Sequence, residues 1–144
     1  TFDLNKMKDG DRCGFAAFNG HSGLLTIARN DKDLTLTQSN TVVNLTDRDK
    51  AVTSVDEDII ETVTLKAKTV SLRIDADFTP GKDIATFYYK VGNSEWRKIG
   101  KPYKMRFDYR RLFMGTRYAI FNYATKQSGG YVDIDSFNYH LLRK

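Results

Sequence analysis

One cysteine, two histidines and three glutamates are all that 144 residues contain of those types, and each scarcity excludes something. A lone Cys13 cannot close an intrachain disulfide, and the cysteine count does not settle the compartment. Cys13 alternates with Phe15 and Ala17, which reads as a buried structural thiol and not a nucleophile. His21 and His140 would both be needed, with carboxylates, for a histidine-based zinc site, and they read instead as a turn histidine and a C-terminal surface histidine. Glu57, Glu61 and Glu95 are the only glutamates, so a glycoside-cleaving acid pair would have to draw on aspartates that fall mostly in turns or on wet strand faces. No Gly-x-Ser-x-Gly elbow is present; Gly20-His21-Ser22-Gly23 only approaches one. The glycines open no helix, which argues against a phosphate loop. No apolar run nears membrane-spanning length and no signal peptide opens the chain, so no membrane partner is expected.

What is abundant points to strands. The length suits a single domain over 1–144 with a core of its own. Aromatics make up 12%, and Asp, which favours turns, far outnumbers Glu. The net charge is +5 with mixed signs. Its densest basic stretch, Arg97-Lys98 to Arg110-Arg111, is interleaved with Tyr103, Phe107 and Tyr109. Without an RNP-like, zinc-finger or helix-turn-helix pattern, that stretch reads as a solvated face and not a nucleic-acid site.

Period-two alternation recurs at short intervals, as in an antiparallel β-sandwich. Strands are expected over 13–18, 24–29, 33–38, 41–46, 62–67, 70–78, 84–91, 116–124 and 131–139, with a turn at Ser39-Asn40. Val70, Leu72, Ile74, Ala76 and Phe78 should point inward, with Ser71, Arg73, Asp75 and Asp77 outward. Asp47 to Lys50 and Asp56 to Asp58 bracket what reads as a polar loop, and 107–113 has room for one helical turn. Two kinds of site stand out. The last strand sets Asp133 and Asp135 among Tyr131, Phe137 and Tyr139 on one face, which fits a sheet edge, a cation site or a sugar-facing surface. Asp75 and Asp77 repeat the paired-acid spacing, and Ca²⁺ takes about six to eight hard oxygens, although wet-face aspartates need no metal. Trp96, Tyr88, Tyr103, Tyr109 and Tyr131 offer flat rings for a carbohydrate platform, while any one ring in a sandwich can equally be core.

Several strings together resemble a known family. Lys8-Asp9-Gly10-Asp11-Arg12-Cys13-Gly14-Phe15-Ala16-Ala17-Phe18 is similar to the "KDGDxAGLAAF" strand in the C-terminal β-sandwich of glycoside hydrolase family 43 enzymes. Phe87-Tyr88-Tyr89 with Trp96 resembles its "FYYSxDGxxW" hairpin, although Gly92-Asn93-Ser94-Glu95 replaces the usual Asp-Gly turn. The stretch Phe113 to Lys126 is similar to "FxGxRFxLFxYATK", and Gly129 to Phe137 to the closing "GGYVDxDYF". The resemblance implies an all-β, concanavalin A-like jelly roll lacking the family domain's first strands. It also implies a catalytic β-propeller as partner, since the family joins this sandwich to a five-bladed propeller that carries the catalytic carboxylates of β-xylosidases and α-L-arabinofuranosidases. The sequence leaves the compartment open, with a bacterial periplasmic or extracellular setting favoured.

The expected function is therefore that of a non-catalytic accessory domain of a xylan-degrading hydrolase, with no catalytic residue of its own. It would stabilise the propeller and contact a xylan-derived oligosaccharide through Trp96, Tyr88, Tyr103 and Tyr109. The resemblance further implies a structural Ca²⁺ on Asp135, with Asp133 as companion. The alternatives are a free-standing carbohydrate-binding module and an interaction or assembly domain that uses an open sheet edge.

Overall fold

The computed structural model of the chain describes residues 1–106 and 115–142. Among these, every regular element is a strand: β1 (Phe2–Asp3), β2 (Asp11–Phe18), β3 (His21–Asn30), β4 (Asp33–Leu45), β5 (Val52–Leu65), β6 (Thr69–Asp77), β7 (Ile84–Val91), β8 (Arg97–Lys98), β9 (Tyr103–Lys104), β10 (Arg117–Ala124) and β11 (Asp133–Ile134). They form two antiparallel sheets, a six-stranded one in the order β11-β1-β6-β7-β8 with β9 also on β7, and a five-stranded one in the order β10-β2-β3-β4-β5. The expected all-β sandwich is what the chain builds.

The core follows from alternation. Cys13 and Ala17, Leu25 and Ile27, Leu34 and Leu36, and Leu65 face inward from the five-stranded sheet. Val70, Ile74, Ala85 and Phe87 meet them from the other. Residues two apart on a strand share a face, so one apolar series per strand fills the interlayer space and leaves the other face wet. Cys13 is fully buried, as its pattern implied. A polar clamp also crosses the interlayer. The buried Gln38 accepts a hydrogen bond from Lys101 N at 3.2 Å and donates through Nε2 to Ser39 O and Asn40 Oδ1. Glu61 Oε2 accepts from Gly100 N at 2.6 Å, so the segment between β8 and β9 is tied to the opposite sheet at two consecutive amides.

Three local expectations are corrected. The polar loop around Asp56 to Asp58 is strand: β4 and β5 pair from Leu34↔Leu65 to Leu45↔Val52 in one long hairpin. Its outer half is exposed on both faces, so no period-two hydrophobic pattern marks it; the ladder and links such as Asn44 Nδ2 to Asp56 Oδ2 at 2.7 Å hold it. The expected turn at Ser39-Asn40 is a register shift within a continuous β4. Phe78 is 57% exposed and not inward. β6 ends at Asp77, whose carboxylate accepts from Thr79 N at 2.9 Å and turns the chain away before the alternation reaches Phe78. The helical turn expected over 107–113 lies outside the described residues.

The closing segment is strand only at β11, where Ile134 pairs with Phe2 and Asp133 with Asp3. Beyond it, the Phe137 ring meets Phe15 edge-on at 6.1 Å and Tyr139 meets Tyr118 at 6.1 Å, so both rings pack against the β2–β10 side of the sandwich.

Candidate functional site

Of the four expected sugar-platform rings, the fold brings two together. Tyr88 on β7 lies between Arg73 on β6 and Lys98 on β8 in the sheet register, on the outer face of the six-stranded sheet. The Arg73 guanidinium sits 5.1 Å from the Tyr88 ring centroid and 5.8 Å from that of Trp96. Lys90 Nζ lies 5.1 Å from the Trp96 ring and Lys98 Nζ 6.0 Å from the Tyr88 ring. The faces a sugar would stack on are thus shared with cations, each contact worth about 0.5–1 kcal/mol at an exposed site. Asp75 pairs with Arg73 through two 2.7 Å hydrogen bonds, which raises the already high Arg73 pKa and keeps the cation in place.

The other two rings are elsewhere. Tyr103 lies in the core, which takes it out of a surface platform. Gly23 makes room for it: a Cβ there would come within 2.9 Å of the Tyr103 ring and 2.6 Å of Phe87. Burial pushes the Tyr103 phenol pKa up. Tyr109 lies outside the described residues. Tyr131 is exposed in the segment before β11, and its amide donates to Lys6 O at 3.2 Å.

The aspartates expected to hold Ca²⁺ are exposed. Asp133 is in register with Asp3, whose carboxylate accepts from Asn5 N and Nδ2 at 2.9 and 2.7 Å. Asp135 N donates to Thr1 O at 3.0 Å. Among the described residues no group of three or more His, Cys, Asp or Glu is placed to hold a metal ion. Ca²⁺ takes about six to eight oxygens, backbone carbonyls and waters included, so Asp133 and Asp135 would supply only part of such a set. Asp75 and Asp77 have cationic neighbours instead, Arg73 and Lys82.

A second surface lies on the outer face of the five-stranded sheet. Its central strands carry mostly small side chains, Gly14 and Ala16 on β2, Thr26 and Ala28 on β3 and Thr35 and Thr37 on β4, with Phe18 and Leu24 as the larger exceptions. The edge strands carry large ones, Phe121 and Tyr123 on β10 and Val55 and Ile59 on β5. Small residues in the middle and bulky ones at both edges leave a groove of about 640 Å³. The register sets Phe121, Gly14, Thr26, Thr37 and Thr62 in one row across it. Phe121 reaches over the floor because Gly14 has no side chain; a Cβ there would lie 2.6 Å from the ring. Phe121 and Tyr123 lie 6.2 Å apart with their planes tilted by 31°, forming one aromatic wall.

Charge in the groove is sparse and balanced. Arg12 stands at one end, bonded to Asp11 O, Arg29 O and Asn30 Oδ1. Glu57 stands at the other, in register with Thr41. Sequence reasoning passed over this face. The signals for it were the alternating pairs Thr35-x-Thr37 and Phe121-x-Tyr123, which acquire meaning only once the register joins them.

A family described as the β-xylosidase C-terminal concanavalin A-like domain matches residues 1–140. No curated protein matches. Among solved structures, a family 43 glycoside hydrolase engineered to display both endo-xylanase and exo-arabinofuranosidase activity superposes with a TM-score of 0.77 at 26% identity. That match covers 91% of this chain and 26% of the other. A bifunctional GH43-CE protein of Bacteroides eggerthii superposes with a TM-score of 0.73 at 31% identity, covering 91% of this chain and 15% of the other. The chain therefore spans about a quarter and about a seventh of those two proteins. With the sandwich, the closing strand and the match over nearly its full length in agreement, the chain belongs to the C-terminal concanavalin A-like domain family of the family 43 glycoside hydrolases.

Proposed function

We propose that the chain is a non-catalytic accessory domain that docks on, and stabilises, the catalytic domain of a xylan-degrading hydrolase. The observation that carries the reading is an uncovered apolar strip along one side of the sandwich. Ile120 on β10 is in register with Phe15 and stays 45% exposed. Phe137, whose ring meets Phe15, and Tyr139, whose ring meets Tyr118, extend the strip and are exposed, as are Leu141 and Leu142 farther along the closing segment. Contiguous exposed apolar surface of this kind marks an interaction site more often than a free surface. The family match supplies the partner's class, because the solved relatives are much longer family 43 proteins.

The test separates catalysis from support. The purified chain is assayed on aryl β-xylosides and α-L-arabinofuranosides, and a family 43 catalytic domain from the same polypeptide is melted with and without it. No turnover by the chain and a higher melting temperature for the mixture are expected, with the increase lost in Ile120→Asp. Turnover by the chain alone, or unchanged melting of the mixture, would overturn the reading. The same strip also favours an assembly role; self-association of the chain that Ile120→Asp abolishes, with no effect on the catalytic domain, would select that alternative.

A further inference from the structure

We infer that the groove on the outer face of the five-stranded sheet is a binding site for a neutral polysaccharide segment, a xylan-type chain of pentose units. The inference rests on the reading of the chain as part of a polysaccharide hydrolase, and it moves the sugar contact away from Trp96 and Tyr88 to the opposite sheet. Three features of the groove select the ligand.

The first is size. From Arg12, in line with Thr35, to Glu57, in line with Thr41, the groove runs six residues along β4, about 20 Å at strand rise. Its volume of about 640 Å³ lies within the usual range for ligand sites. An open trough of that length accepts several units of an extended chain and does not demand a chain end.

The second is charge. The protein carries +5 overall, yet this groove holds one cation and one anion at opposite ends, with hydroxyl-bearing threonines between them. A phosphate backbone would meet Glu57, and a polyanionic sugar would find only Arg12. A neutral polyol meets neither penalty, and its hydroxyls can exchange hydrogen bonds with Thr26 and Thr35, which both donate and accept, while Thr37 Oγ1 already shares a hydrogen bond with Thr62 Oγ1 at 2.9 Å.

The third is the pairing of rings with hydroxyls. Phe121 and Tyr123 present an aromatic wall beside that threonine floor, and Tyr123 is 53% exposed. Sugar rings have apolar C–H faces and polar edges, so a wall of rings over a floor of hydroxyls matches both. A purely apolar peptide or lipid would take the charges of Arg12 and Glu57 and the hydroxyls of Thr26 and Thr35 out of water, at a cost.

The test is an NMR titration of the ¹⁵N-labelled chain with xylo-oligosaccharides and arabinoxylo-oligosaccharides, with an apolar peptide as the competing class. Amide shifts are expected on β2, β3, β4 and β10 and not around Tyr88. Tyr123→Ala, at an exposed position that should leave the fold intact, is expected to weaken binding about tenfold. Tyr123→Phe, which keeps the ring, should bind nearly as the parent does, and Trp96→Ala should bind unchanged. No shifts at millimolar sugar, shifts confined to the Trp96 face, peptide binding in the groove without sugar binding, or parent-like affinity in a folded Tyr123→Ala would each overturn the inference. If binding is absent while the chain still raises the melting temperature of the catalytic domain, the groove inference falls and the accessory reading stands.

Discussion

Gly14 is where stability and the groove meet, and Gly14→Ala is the sharpest perturbation the fold offers. A Cβ at this position would sit 1.9 Å from Leu25 O and 2.6 Å from Phe121 Cζ. The ring can swing away, but the carbonyl belongs to the central strand β3 and cannot. Ordinary C···O contacts lie near 3.3–3.6 Å, so β2 and β3 must separate by about 1.5 Å locally. Overpacking of this kind costs about 1–3 kcal/mol, and weakening a ladder hydrogen bond adds about 1 kcal/mol. The smaller entropy of an unfolded alanine returns about 0.4–1 kcal/mol, which leaves a net loss of about 2–3 kcal/mol. At about 2.1 cal/mol/K per residue, the unfolding entropy of 144 residues converts 1 kcal/mol into about 3 °C, so melting should fall by about 7–10 °C. Gly115→Ala is the control, since a Cβ there meets nothing within 4 Å. Differential scanning calorimetry decides the matter. A Gly14→Ala protein melting within about 2 °C of the parent, or a Gly115→Ala protein falling as far, would refute the packing argument.

Further outcomes follow from buried polar groups and rings. Burial pushes the Cys13 thiol up to about 12, so it should resist iodoacetamide in the native state at mildly alkaline pH and react once urea unfolds the chain. Because the folded thiol keeps its proton where the unfolded one has lost it, its contribution to stability is intact below pH 9 and declines as pH rises from 9 towards 12, which urea titrations across that window would detect in a comparison with Cys13→Ala. Gln38→Ala removes the acceptor of Lys101 N and leaves a cavity, and should cost about 2–4 kcal/mol in urea unfolding; a loss below about 1 kcal/mol would show that the clamp contributes little. Asp11→Ala strips Lys8 N of its 2.7 Å acceptor, with an expected cost of about 1–3 kcal/mol and faster hydrogen exchange at the Lys8 amide. A double-mutant cycle on Arg73 and Trp96 should return about 0.5–1 kcal/mol of coupling, and zero coupling would remove the cation–ring contact from the account.

How far the sequence speaks depends on what each face meets. The strands over 13–18, 24–29, 70–77 and 84–91 are legible because one side is buried and the other wet, which writes the period of two into the residue types. The outer half of β5 is not legible because both its sides meet solvent; its strand character comes from the β4 ladder, a property of two segments and not of one. Tyr103 sits in a two-residue strand, too short for alternation to reveal whether its ring points in or out. Trp96 and Tyr88 are readable from the sequence as flat rings, but Arg73, Lys90 and Lys98, which face them, come from separate places in the chain. The groove was least legible of all, because its floor consists of residues unremarkable one at a time, Gly14, Thr26 and Thr37, which only the register sets in a row.

The two outer faces of the sandwich are chemically opposed, and that opposition bears on where a neutral ligand would go. On the six-stranded sheet, Arg73, Lys90 and Lys98 crowd the half-buried Tyr88 and the exposed Trp96, so a sugar stacking there would have to displace cations already attracted to the same π faces. On the five-stranded sheet, the rings stand at one edge and the floor between the edges is neutral and small, so a ligand enters without displacing a charge. Aromatic residues on the two faces thus give unequal sites, because the cost of clearing the ring differs. The neutral trough, open along about 20 Å, suits a polymer that passes through it.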